Sequence, residues 1–208
     1  MKILFQGDSI TDCHRKREIY SDLGEGYVVY TVDNLKKEFP EIDFEFLNRG
    51  ISGNRTEDLL ARLDEDLIAL QPDIVTILIG VNDTWHRFSH YIETTAEMFL
   101  DNYDKILRRV KSETNAKIII LEPFLLYNME KDMMRSDLDE KIDRVRQLAL
   151  EYADAFVPLD ALFVAANLNG IPNESLSPDG VHPGEEGKRL IANALTPVLS
   201  KFIKDLSE

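Results

Sequence analysis

Short apolar segments rich in β-branched residues alternate with longer segments of helical hydrophobic spacing along almost the whole chain. The apolar segments predict five strands, at residues 2–5, 44–47, 74–79, 117–121 and 155–159. The longer segments predict four helices, at about residues 27–39, 56–70, 94–112 and 136–153. A final helix is expected at residues 183–206, because Pro183 suits a first helical turn and acidic residues follow it.

The predicted strands are apolar nearly throughout, as in the segment IVTILI at residues 74–79. Such strands are typical of a parallel sheet covered on both faces, and right-handed crossovers place helices on either side. We therefore predict an α/β fold, a three-layer α/β/α sandwich of flavodoxin-like type with a central five-stranded parallel sheet. No internal repeat or linker-like segment interrupts residues 1–208, so we expect a single domain.

The chain carries 38 Asp and Glu against 24 Lys and Arg, a formal net charge of -14. A negative surface repels polyanions and anionic lipid, so we expect neither nucleic acid nor a membrane as a partner. Charges interrupt every hydrophobic segment, so none reaches the roughly 18 apolar residues of a membrane span. The residues after Met1 lack a signal-peptide core and cleavage site, which predicts a cytoplasmic protein. Cys13 is the only cysteine in the sequence, so no internal disulfide is expected.

Three polar motifs directly follow the first three predicted strands. Ser9, in the segment GDS, comes just beyond the carboxyl end of strand one, where open α/β sheets bind ligands. Its hydroxyl is a candidate nucleophile, although a serine here also suits a helix cap. Gly53 and Asn82 follow strands two and three and are candidate N–H donors to an oxyanion, with turn formation as the alternative for each.

His182 lies in the segment SPDGVHP and precedes a proline, which favours an extended backbone just before the last helix. Asp179, three residues earlier, is placed to accept the Nδ1 proton and leave Nε2 facing a serine. Of the other histidines, His14, His86 and His90, only His86 is a credible rival as base. Asp8 and Asp83 are interpreted as turn and scaffold residues.

Parallel strands end at a common edge of the sheet, so the motifs should converge there. An acyl-transfer site needs a nucleophile, a base, an orienting acid and oxyanion donors, and these motifs supply all four. The reaction expected from them proceeds through an acyl-serine and calls for no metal, nucleotide or other cofactor.

The segments GDS, SGN, GVND and DGVHP resemble, in order and spacing, the conserved blocks of the SGNH hydrolases, also called GDSL-type esterases. The resemblance spans nearly the whole chain and implies Ser9 as nucleophile with Asp179 and His182 completing a triad. It further implies an oxyanion hole formed by Ser9, Gly53 and Asn82. The first block reads GDSI where GDSL is common, and isoleucine keeps an apolar residue there.

The segments GEGYVVY, NRGISGN, VNDTWHRF and EPFLL are similar to the branch containing acetylxylan and other carbohydrate acetyl esterases. This similarity implies short-chain acyl substrates, acetyl esters of xylan oligosaccharides or other carbohydrates. It places Trp85 near the site as an apolar wall or stacking surface, with ordinary packing as the alternative. Family resemblance also makes a homo-oligomer plausible.

Two other functions are compatible with the same residues. A lysophospholipase or acyl-thioesterase would use the same chemistry on a longer acyl chain. A non-catalytic ligand-binding module of flavodoxin-like architecture would hold a phosphate in the loop after strand one. That loop lacks the additional glycines and the lysine that phosphate-binding loops use, and Asp8 would repel the anion.

Overall fold

The computed structural model describes residues 1–207. Its sheet contains five parallel strands in the order β2-β1-β3-β4-β5. The strands are β1 (Lys2–Gly7), β2 (Glu45–Gly50), β3 (Ile74–Leu78), β4 (Lys117–Leu121) and β5 (Ala155–Val157). The α-helices are α1 (Ser9–Asp12), α2 (Tyr27–Glu38), α3 (Thr56–Ala61), α4 (Leu63–Asp66), α5 (Val81–Ser89), α6 (Ala96–Glu113), α7 (Arg135–Tyr152), α8 (Leu159–Leu168), α9 (Asn173–Leu176) and α10 (Glu185–Ser207). Two 3-10 turns cover Ile68–Leu70 and Asp132–Met134.

Both faces of the sheet are buried, because successive strand residues point in opposite directions. Ile3 and Phe5 belong to a core shared with α2, α8 and α10, whereas Leu4 belongs to a second core shared with α3, α6 and α7. Helix α2 packs on α10 on one face, and α6 packs on α7 on the other. The predicted three-layer α/β/α sandwich with a five-stranded parallel sheet is confirmed.

The first two strands are longer than predicted and end in glycines that pair with each other, Gly7 and Gly50. A Cβ on Gly50 would lie 2.2 Å from the backbone nitrogen of Asp12, so only glycine lets α1 approach β2 this closely. This close approach brings the segment after β2 against the segment after β1.

The predicted helix at residues 56–70 is wrong as one element, because it divides into α3, α4 and a 3-10 turn. The break occurs at Arg62, whose guanidinium donates to the backbone oxygens of Arg49 and Gly7 at 2.8 and 3.1 Å. These bonds hold the chain at the break against two strand ends distant in sequence, and hydrophobic spacing does not report them.

Four helices were not predicted. Helices α1 and α5 begin within the segments GDS and GVND, α9 lies just before the segment SPDGVHP, and α8 begins where β5 was expected to continue. Strand β5 ends at Val157, two residues earlier than predicted, because Pro158 intervenes before α8. The last helix begins at Glu185, so Pro183 lies outside it.

Within residues 1–207, no helix combines the length and apolar character that crossing a bilayer requires.

Candidate active site

Ser9 is the first residue of α1, immediately beyond the carboxyl end of β1. The cap of this helix is Asp8, whose Oδ1 accepts a hydrogen bond from the Ile10 N–H at 3.0 Å. A capping role for Ser9 is therefore excluded, and the serine hydroxyl is free to bond elsewhere.

The Ser9 hydroxyl forms a hydrogen bond with His182 across 173 residues of sequence. Its Oγ lies 2.9 Å from Nε2 of His182, and Nδ1 of the same ring lies 2.9 Å from Oδ2 of Asp179. The second carboxylate oxygen of Asp179 accepts from the backbone N–H groups of His182 and Val181 at 2.7 and 3.0 Å. The carboxylate therefore holds both the ring and the backbone of the histidine.

These contacts change the proton affinity of both groups. The hydrogen bond that His182 Nδ1 donates to Asp179 raises the pKa of His182, since it stabilises the imidazolium. Burial favours the neutral form of Asp179, but the hydrogen bonds from His182 and Val181 outweigh it and hold the pKa of Asp179 well below its usual range. The arrangement keeps an ionised carboxylate behind a histidine of increased basicity.

A glycine shapes the loop that carries this pair. Gly180 has a φ of +83°, and a Cβ there would lie 2.6 Å from the backbone oxygen of Leu126. The Leu126 N–H donates to the Gly180 oxygen at 2.9 Å. The segment after β4 thus holds the loop in place, and a side chain at position 180 would push the two apart.

The three candidate oxyanion donors lie at the ends of β1, β2 and β3. Among residues 1–207, neither the Ser9 nor the Gly53 backbone N–H has a hydrogen-bond acceptor. Gly53 has a φ of +84° and open space beside it. Asn82 donates one amide N–H to the Asn54 oxygen at 3.0 Å, which fixes its side chain and leaves its second N–H available.

Asp12, which sequence reasoning missed, joins the segment after β2 to the helix that begins with Ser9. Its Oδ2 accepts from the N–H and the hydroxyl of Ser52 at 2.8 and 2.7 Å, and from Arg17 at 2.6 Å. The neighbouring Gly53 is therefore tied to α1. A polar residue one helical turn after a nucleophile is the only signal in the sequence that would have suggested this role.

Asp8 and Asp83 lie beneath the site as buried carboxyl groups. Burial raises the pKa of Asp8 to about 7 and that of Asp83 to about 6. Asp83 accepts from the backbone N–H and the hydroxyl of Thr56, which joins α5 to α3. These contacts agree with the turn and scaffold roles predicted for both residues.

Trp85 lies beside the histidine, with 5.6 Å between its ring centroid and that of His182. It also packs against the core, as the packing alternative predicted, whereas a role as a wall or stacking surface for substrate stays a prediction. Next to it is a cavity of about 390 Å³. The cavity is lined by Trp85, Phe88, Ser89, Glu130, Lys131, Met133 and Met134.

Lys131 is a second residue that sequence reasoning missed. Its Nζ donates to the backbone oxygen of Asp179 at 2.7 Å and lies 4.7 Å from the centroid of the Trp85 ring. The only available signal was a charged residue in the irregular segment after β4, at the same sheet edge as the other motifs.

The remaining histidines are not part of this arrangement. His14 pairs with Glu25 at 3.2 Å, and the rings of His86 and His90 lie 4.8 Å apart. None of the three forms a hydrogen bond with Ser9 in the described residues. His86 is therefore the weaker candidate for a base, and burial lowers its pKa.

No group of three or more His, Cys, Asp or Glu side chains within residues 1–207 is arranged to hold a metal ion. The absence of a cofactor stays a prediction from the sequence.

The family model of the GDSL-like lipase/acylhydrolase family matches residues 5–190 of the chain. An acetylxylan esterase from Geobacillus stearothermophilus is 39% identical over 200 residues, which cover 93% of this chain and 91% of that protein.

Solved structures agree with this match. A candidate GDSL-like lipase from Parabacteroides merdae has a TM-score of 0.88 at 38% identity, covering 93% of this chain and 92% of the other. A structure of the Geobacillus stearothermophilus acetylxylan esterase Axe2 has a TM-score of 0.84 at 35% identity, covering 93% and 91%. An alpha/beta hydrolase from the metagenome of Lake Arreo, Spain, has a TM-score of 0.84 at 30% identity, covering 93% and 92%.

Proposed function

The chain belongs to the GDSL-like lipase/acylhydrolase family, and we propose that it removes acetyl groups from carbohydrate esters through Ser9, His182 and Asp179. It is a carboxylic ester hydrolase. Xylan oligosaccharides are the first substrates to test, because a relative 39% identical is an acetylxylan esterase.

One observation carries the assignment of the catalytic residues. The Ser9 hydroxyl, the His182 ring and the Asp179 carboxylate form a continuous chain of two hydrogen bonds, each 2.9 Å long. This geometry activates a serine, because the ring takes the hydroxyl proton at Nε2 while the carboxylate stabilises the resulting imidazolium.

The proposed cycle has two halves. Ser9 Oγ attacks the ester carbonyl as its proton passes to His182, and the oxyanion accepts hydrogen bonds from the Ser9 and Gly53 N–H groups and the Asn82 amide. Collapse of this intermediate breaks the ester bond, and His182 gives its proton to the departing alcohol oxygen. Water then attacks the acyl-serine and loses a proton to His182. Collapse of this second intermediate breaks the acyl–oxygen bond to Ser9, and His182 returns the proton to Ser9 Oγ as the acid is released.

In this proposal Trp85 forms one wall of the site. Its ring lies 5.6 Å from the His182 imidazole and also lines the adjoining cavity, so a sugar ring that leaves with the alcohol oxygen and occupies this cavity would contact it. Glu130 and Lys131 on the same cavity offer hydrogen bonds to sugar hydroxyls.

The test is ester hydrolysis by the purified protein and two matched variants. We expect Ser9→Ala to reduce kcat for p-nitrophenyl acetate by a factor of about 1,000 or more, because the nucleophile is lost. Ser112→Ala, which removes an exposed serine hydroxyl from the end of α6, should keep full activity. Circular dichroism of all three proteins checks folding, and comparable activity in folded Ser9→Ala would exclude the proposed nucleophile.

The acyl preference is tested separately. We expect p-nitrophenyl acetate to be hydrolysed faster than the octanoate, and acetate to be released from acetylated xylo-oligosaccharides. Faster hydrolysis of the octanoate would favour the lysophospholipase or thioesterase alternative. A ligand-binding module without catalysis is not supported, given the family and the hydrogen-bonded Ser9.

A cytoplasmic location, a single domain over residues 1–208 and a homo-oligomer remain proposals that rest on the sequence. Light scattering of the purified protein would measure the oligomeric state.

A further inference from the structure

Lys131 reaches from the segment after β4 into the space between Asp179 and Trp85. Its side chain is 14% exposed. The ammonium group donates to the backbone oxygen of Asp179 at 2.7 Å and lies 3.5 Å from the Oδ2 atom of the same residue, the atom that bonds the His182 ring. A lysine enclosed to this degree needs partners for its charge, and Asp179 and the Trp85 ring are the partners present.

We propose that Lys131 is a positioning residue that fixes the position of the loop carrying Asp179 and places a positive charge beside the Asp179–His182 pair. This inference rests on the proposed function, because it assumes that His182 is the base. It assigns Lys131 two separable actions, one through a hydrogen bond and one through charge.

The hydrogen bond acts on the loop. The segment after β4 already contacts the loop through the Leu126 N–H and the Gly180 oxygen at 2.9 Å, and Lys131 adds a second contact at Asp179. Two contacts at neighbouring residues restrict both translation and rotation of the loop. The Asp179 carboxylate is thereby kept in line with Nδ1 of His182.

The charge acts on the histidine. The charged groups that act most strongly on His182 are Asp179 from its own loop, Asp8 from the turn after β1, and Lys131 from the segment after β4. Asp179 and Asp8 stabilise the imidazolium, whereas burial and the ammonium of Lys131 oppose it, and the net result is that the pKa of His182 is raised. Lys131 therefore limits how strongly the two carboxyl groups increase the basicity of the ring.

Two substitutions separate these actions. Lys131→Gln keeps a hydrogen-bond donor but removes the charge, and Lys131→Arg keeps the charge with a different donor geometry. Lys105→Met is the matched control, because Lys105 is an exposed lysine on α6 that, within residues 1–207, forms an ion pair with Asp101 alone. The measurement is kcat/KM for p-nitrophenyl acetate between pH 5 and pH 9, with NMR titration of the His182 ring in the same proteins.

On the acid side of the profile, kcat/KM rises with pH as the His182 ring loses its proton, and this rise is called the acid limb here. We expect the acid limb and the NMR titration of His182 to move to higher pH in Lys131→Gln. In Lys131→Arg both should stay near their wild-type positions. The sign follows because the ring is active when neutral, and loss of a nearby positive charge favours its protonated form. Above the limb, we expect Lys131→Gln to lose up to about tenfold in kcat/KM through weaker positioning. Lys105→Met should match the wild type.

An unshifted limb and an unshifted titration in Lys131→Gln would overturn the proposal, even if activity fell at every pH. Failure of both Lys131→Gln and Lys131→Arg to fold would also overturn it, because Lys131 would then act in folding. Ser9→Ala, assayed alongside, keeps the two hypotheses apart. An inactive Ser9→Ala with an unmoved limb rejects the role of Lys131 alone, whereas an active Ser9→Ala rejects the proposed function.

Discussion

Asp8 precedes Ser9 in the chain and is fully buried. One carboxylate oxygen caps α1, and the other, Oδ2, has no hydrogen-bond partner among the described residues. Burial without a second partner disfavours the ionised form and raises the pKa of Asp8 to about 7. A carboxyl group beside the nucleophile therefore titrates near neutral pH in the folded protein.

This titration predicts a pH-dependent stability difference. Below its ordinary pKa of 3.8, Asp8 is protonated in both the folded and unfolded states. In this range the preference of the folded state for protonated Asp8 makes its full contribution to the free energy of unfolding. As the pH rises toward 7, the unfolded state ionises first, so this contribution is lost. We expect the free energy of unfolding of Asp8→Asn, relative to the wild type, to increase from pH 5 to pH 8.

Urea unfolding at several pH values measures this difference. The asparagine oxygen still accepts from the Ile10 N–H, so the helix cap is preserved. Asp205→Asn, at an exposed position near the end of α10, is the control and should leave the pH dependence as in the wild type. Parallel curves for Asp8→Asn and the wild type would contradict the prediction.

Helix α5 carries Asn82 and Trp85, and its position depends on contacts with other helices. Asp83 joins it to α3 through Thr56, while Thr84 donates to Asp137 of α7 at 2.7 Å. Asp137 is also the partner of Lys141 at 2.5 Å. Both members of this ion pair are buried, so an element essential to the site is held by charges in the interior.

Removing one member of the pair should destabilise the protein more than removing both. We expect Asp137→Leu to lower the free energy of unfolding by about 3–5 kcal/mol, because Lys141 would keep a buried charge without its partner. Asp137→Leu combined with Lys141→Met should recover a large part of this loss. Urea denaturation of the wild type, both single variants and the double variant forms the cycle. Additive losses would show that the pair is not coupled.

The strand order explains why the site forms where it does. β1 lies between β2 and β3, so the segments after the first three strands are neighbours at one sheet edge. Ser9, Gly53 and Asn82 come from these three segments. The loop with Asp179 and His182 completes the site from the carboxyl-terminal part of the chain, supported by the segment after β4.

The whole molecule carries a net charge of -14, which predicts a response to salt. Repulsion between the surface charges destabilises the folded state. Added salt screens this repulsion as the Debye length falls from about 30 Å to under 10 Å. We therefore expect Tm at pH 8 to rise by roughly a few degrees between about 10 mM and about 300 mM NaCl. Calorimetry measures the change, and the same scan near the sequence pI of 4.7 is the control, where the effect should be smaller. A lower Tm in salt at pH 8 would show that surface ion pairs dominate instead.

Much of the fold and the candidate site could be predicted from local patterns. Apolar runs located all five strands, and the motifs at Ser9, Gly53, Asn82 and His182 were placed correctly at strand ends or before the last helix. These features depend on hydrophobic periodicity and on turn residues, and both can be read within a few neighbouring positions.

Other features were decided only by the tertiary structure. Arg62, at which the predicted helix is divided, bonds strand ends distant in sequence, and Lys131 contacts Asp179 across 48 residues of sequence. Strand order and chain crossings determine these contacts, whereas hydrophobic spacing records only which side of an element faces the core. The sequence by itself therefore determined which residues carry the proposed chemistry. The three-dimensional packing decided which other side chains hold those residues in position.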